Sequence, residues 1–201
     1  MFTHAPVHFT VVINLVLAFI PLVFAFYLFK LNKKRSVLWW FLALVFIAFL
    51  PNSAYVLTDI IHFIAAVKSP DISLIYLLLV ICPFYIIFLT LNFEFYVLAI
   101  SWAKNYINKQ SDTNNSWHWL NIIFIPAIHL LSAVGVYLGR FQRLESTDIL
   151  HKPLLVFRDA IHDIFGGSSA LIIIVLFIIF YSLYFMVCRL NKRMYQAFKE
   201  K

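Results

Sequence analysis

Asp59 and His62 stand three residues apart, and Asp159 and His162 repeat that spacing. On a helix, residues three apart are neighbours on one face. A carboxylate and an imidazole placed there can work as acid and base or share a divalent metal ion. Asp59, His62 and His162 are therefore the candidate catalytic residues. Asp59, His62, Asp159 and His162 together form a candidate four-ligand set, which makes a divalent metal the cofactor to expect. The first pair closes a longer polar stripe, in which Asn52, Tyr55, Asp59 and His62 follow one another at intervals of three, four and three, with Thr58 alongside. Pro51 removes a backbone donor just before this stripe, and Asn52 can bond the freed carbonyl or cap the next helical stretch. Gly139-Arg140-Phe141-Gln142-Arg143 leads into Glu145-Ser146-Thr147-Asp148. Arg140 and Arg143 can grip a phosphate or carboxylate through forked hydrogen bonds. Asn52, Tyr55, Thr58, Arg140, Arg143 and Asp148 are thus the candidate binding residues.

Each motif also has a purely structural reading. The 52–62 stripe can be a helix-end hydrogen-bond network. Arg140 and Arg143 can pair with nearby acids and fix their loop. Residues 153–165 can form an amphipathic helix lying in the membrane interface, with its polar side wet. His129 follows Pro126 by one turn and can serve as a proton relay or pack as a neutral buried ring. Glu94 reads as interfacial. His4 and His8 are spaced for one helix face but sit at a chain end. Gly135 and Gly139 form a Gly-x-x-x-Gly pair suited to close helix packing. Ser168 and Ser169 follow two glycines as capping residues for a last helix. Cys82 and Cys188 match no metal or disulfide framework and read as small apolar residues.

The elements that position these groups follow from composition. The 201-residue chain is 63% hydrophobic and 12% charged, against about 45–50% apolar and about 25% charged in soluble domains. A water-soluble fold of this size cannot hide so much apolar surface. Five apolar runs are long enough to cross a bilayer, at about residues 9–29, 37–57, 72–91, 117–138 and 168–187, the third able to continue as helix to Trp102. Helix is required in them, because unpaired backbone groups cannot face lipid. The fold class is all-α, a polytopic transmembrane helix bundle forming a single domain over 1–201. The first run follows no basic residue and lacks a cleavage signature, so it reads as a mature span.

Lys30, Lys33, Lys34, Arg35, Lys104, Lys109, Arg189, Lys192, Arg193, Lys199 and Lys201 fall on one side of five such spans. Lys68, Arg140, Arg143, Lys152 and Arg158 fall on the other. The more basic side is expected to be cytoplasmic, which places the N-terminus outside and the C-terminus inside. Trp39, Trp40, Trp102, Trp117 and Trp119 lie near the inner ends, as an interfacial belt would. Six of the nine acids, Asp59, Asp71, Glu145, Asp148, Asp159 and Asp163, lie outside. The net charge of +7 comes in short clusters between apolar runs, which excludes nucleic acid as a partner and leaves the bilayer.

Phe49–Phe63, FLPNSAYVLTDIIHF, with the later Gly139-Arg-Phe-Gln-Arg143 and a turn ending in Asp148, resembles the bacterial membrane protein family catalogued as domain of unknown function 1361. The family turn reads Asn-Ser-Trp-Asp, whereas this chain has Glu145-Ser-Thr-Asp148. The resemblance implies a multi-pass protein of the bacterial inner membrane and names no activity. Three functions fit the residues. One is an outer-face enzyme or metal site acting on an anionic lipid or envelope precursor held by Arg140 and Arg143. Another is a small transporter with His129 in its path. The third is a structural or partner-binding subunit. Neither enzymatic activity nor oligomeric state follows from the sequence.

Overall fold

The computed structural model describes residues 7–31, 34–109, 116–141, 154, 155, 158, 162 and 167–199. Among them the chain is helical without strands, and five helices are long and apolar enough to cross a membrane. Helix α1 covers Val7–Phe26 and ends in a π-turn, Tyr27–Leu31. Helix α2 covers Val37–Tyr55; Ser36 caps it by accepting from the Trp39 amide. A 3₁₀ turn, Val56–Asp59, joins it to α3, Ile60–Lys68. Helix α4, Leu74–Tyr76, is capped by Ser73 and runs through a π-turn, Leu77–Ile81, into α5, Cys82–Lys109. Helix α6 covers Ser116–Phe141 and α7 covers Gly167–Lys199.

The third and fifth helices outrun the apolar stretches that announced them. Asn92 and Glu94 mark the expected end of the third span, but Asn92 returns its amide to the Phe88 carbonyl at 2.7 Å. This i−4 bond keeps the polar side chain inside the helix and lets the backbone continue. The basic residues after Cys188 are good helix formers, so α7 continues to Lys199 beyond its apolar stretch. Ser168 and Ser169 lie inside the first turn of α7 rather than ahead of it. The packed face of α6 runs through Ile125, Ile128, Ser132, Ala133 and Val136, all buried, while Gly135 and Gly139 are half-buried at its edge.

The contacts divide the chain into two compact units, Met1–Ala99 and Ile100–Lys201. In the first, α1 and α2 form an antiparallel hairpin. At one end the Trp39 indole donates to the Leu28 carbonyl at 3.2 Å, and Phe29 sets its ring against Trp39 and Phe46. Further along, the Ser53 hydroxyl donates to the Ala18 carbonyl at 2.6 Å. Pro21 interrupts the α1 ladder within that turn. Ala18, Val56 and Phe88 form a buried cluster flanked by Leu15 and Leu89, which holds the third span against this hairpin.

In the second unit, α6 packs on α7. The Tyr137 hydroxyl donates to Ser169 Oγ at 2.9 Å. The wholly buried His129 ring lies edge-on to Tyr181 and Tyr184, with centroids 5.7 and 4.9 Å away. Phe177, Tyr181 and Phe185 follow one another at i+4 along α7, each ring touching the next.

Candidate functional site

The 3₁₀ turn at Val56–Asp59 decides how the polar stripe is presented. A tighter turn changes the angle between successive side chains, and burial varies along the stripe. Asn52, Tyr55 and Thr58 are half-buried, Asp59 is only 3% exposed, and the His62 side chain is 53% exposed. Thr58 turns back on its own backbone, donating from Oγ1 to the Tyr55 carbonyl at 2.6 Å. This bond fits a residue inside a local turn.

Asp59 is the centre of the arrangement. Its Oδ2 accepts from Asn14 Nδ2 on α1 at 2.9 Å. Its Oδ1 lies 3.9 Å from His62 Nε2, too far for a direct hydrogen bond. Tyr85, on α5, lies within electrostatic reach of the carboxylate and sets its ring against Phe63 at 5.5 Å. A carboxylate this deeply buried costs several kcal/mol unless partners compensate it. Asn14 supplies one such partner across the helix pair. Beyond Asp59, α3 exposes Ile60, Ile61, Ile64 and Val67 alongside His62 and Lys68. Twenty positions separate Trp39 from Asp59, about 30 Å of helix, which matches the hydrocarbon thickness.

The other candidates fall in the second unit or outside the described residues. Arg140 is half-buried at the C-terminal end of α6, where the helix dipole favours a cation. His162 and Arg158 are each helical and exposed. Arg143, Asp148 and Asp159 lie outside the described residues, as do His4 and most of residues 153–165. Among the described residues, no group of three or more His, Cys, Asp or Glu side chains converges. Both cysteines are unbridged, and Cys188 Sγ lies 3.9 Å from Ser101 Oγ.

Sequence reasoning missed Asn14, Ser53 and Tyr85. Asn14 had a legible signal, as the one amide within the first apolar run, but its partner is 45 residues away, and one chain's spacing does not reveal such a pairing.

Residues 13–185 match the family described as "Protein of unknown function (DUF1361)". The chain belongs to this family. The match begins one residue before Asn14 and takes in Asp59, His62, His129 and Arg140, in agreement with the resemblance carried by Phe49–Phe63. It stops within α7, ahead of that helix's basic end. No curated protein and no solved structure matches the chain.

Proposed function

We propose that this DUF1361 protein is a multi-pass protein of the bacterial cytoplasmic membrane, with its N-terminus outside and its C-terminus inside. On this reading Asp59 and His62 form a divalent-cation site at the outer boundary of the bilayer. The observation that carries it is the division of labour around Asp59. One carboxylate oxygen is tied to Asn14 at 2.9 Å, and the other faces the exposed His62 Nε2 at 3.9 Å. A ligating carboxylate is commonly held by an outer partner that fixes its orientation, and Asn14 has that role here. Carboxylate oxygen and imidazole nitrogen are a donor set suited to transition-metal dications such as Zn²⁺ and Mn²⁺.

Two protein ligands leave coordination positions for water or for the phosphate of an anionic headgroup, which is how an anionic lipid or envelope precursor would enter. Arg140, Arg143, Asp148, Asp159 and His162 are the further residues that this reading assigns to the same outer side. The test is metal content and Zn²⁺- or Mn²⁺-dependent thermal stabilisation of the purified protein. Saturable stabilisation that disappears in His62→Ala and Asp59→Asn supports the reading. The same melting temperature with and without either metal refutes it. A purely structural Asn14–Asp59 lock predicts that His62→Ala behaves as the unaltered protein in every metal titration.

A further inference from the structure

The C-terminal part of α7 does not belong to the site just described, and its chemistry is different. The helix is 33 residues long, about 50 Å. Its apolar stretch, Ala170–Cys188, accounts for about 28 Å, close to the hydrocarbon thickness. The remaining residues, Arg189–Lys199, continue as helix past that layer. At about 100° per residue, Arg189, Lys192, Arg193, Gln196 and Lys199 gather on one side. Leu190, Met194, Ala197 and Phe198 gather on the opposite side, with Tyr195 at the margin. Among the described residues nothing covers the apolar side, with Met194 55%, Tyr195 72% and Phe198 79% exposed. From Met186 to Lys199 every charged residue is basic.

From this we infer that Arg189–Lys199 is an anionic-lipid contact surface, seated on the leaflet at the C-terminal end of α7. A helix segment with a basic face opposite an apolar face suits the zone where phosphates meet acyl chains. Basic clusters directly after a span attract anionic headgroups. The helix continues without a break from the span, so Arg189, Lys192 and Arg193 follow within about a turn and a half of its end, where long basic side chains reach the phosphates. The basic side carries Arg189, Lys192, Arg193 and Lys199, and this charge complements a phosphatidylglycerol-type headgroup. A second copy joined through the apolar side is the competing outcome that the number of chains per disc reports.

The test uses the full chain in lipid nanodiscs, with Cys82→Ala and Cys188→Ala, and an environment-sensitive dye attached through Tyr195→Cys. In discs containing phosphatidylglycerol the emission should be shifted to the blue relative to discs of phosphatidylcholine alone, and high salt should reverse the shift. Each of R189Q, K192Q and R193Q should weaken the anionic-lipid preference about five-fold, and the triple variant should abolish the shift. If the triple variant fails to insert, the salt titration of the unaltered basic segment decides alone. Equal emission in the two lipids, or a shift that follows the number of chains per disc rather than the lipid, overturns the inference.

Discussion

At the residue scale, the account rests on a carboxylate placed where few carboxylates are tolerated. Asp59 is almost wholly buried, yet its two oxygens face different partners, the Asn14 amide on one side and the exposed His62 ring on the other. Those partners should respond differently to substitution. Asn14→Ala removes a hydrogen bond to a charged group and should cost about 1.5–3 kcal/mol, read as a lowered melting temperature in detergent. His62→Ala removes an exposed side chain and should change stability by no more than about 0.5 kcal/mol. Equal losses in the two variants would show that His62 is part of the structural lock. Asn92 gives a contrasting case. Its Nδ2 is bonded to the Phe88 carbonyl, while its buried Oδ1 has no hydrogen-bond partner among the described residues. Burying an unmet carbonyl is costly, and replacing it with an apolar group removes that cost. Asn92→Leu should therefore leave the melting temperature unchanged or raise it. A fall of more than a few degrees would assign that oxygen a partner.

At the element scale, the spans were legible because bilayer thickness imposes a length on apolar runs, and all five recur as helices. Continuation of the third helix past Leu91 was legible as far as Trp102, whereas that of the fifth past its apolar stretch was not. Hydropathy measures the solvent outside a helix, whereas the backbone ladder continues wherever side chains permit it, as past Asn92 in α5 and past Cys188 in α7. The 3₁₀ turn at Val56–Asp59 was likewise hidden. Asn52, Tyr55, Asp59 and His62 have the spacing of one helical face, but their burial differs across the tightened turn, from a buried Asp59 to an exposed His62 3.9 Å away. The α1–α2 hairpin depends on a few cross-helix bonds in a setting where apolar packing alone has little driving force. Trp39→Phe keeps the ring contact with Phe29 and loses the indole bond to the Leu28 carbonyl. It should lower stability by about 1 kcal/mol. Thermal unfolding that matches the unaltered protein would show that this bond contributes nothing.

At the scale of the whole molecule, the polar groups near the chain's chemistry and the basic groups of α7 belong to opposite sides of the membrane in the proposed topology. Lys68→Cys, at the end of α3, should react with a membrane-impermeant maleimide in intact cells carrying Cys82→Ala and Cys188→Ala. Tyr195→Cys should react only after the membrane is opened. The reverse pattern would invert the topology and place Asp59 and His62 on the cytoplasmic side. The central claim is that His62 ligates a dication beside Asp59, and pulsed electron paramagnetic resonance of the purified protein with Mn²⁺ tests it most directly. The account predicts nitrogen modulation from a coordinated imidazole, lost in His62→Ala. A Mn²⁺ signal coupled only to water protons, or nitrogen coupling that persists in His62→Ala, would contradict it.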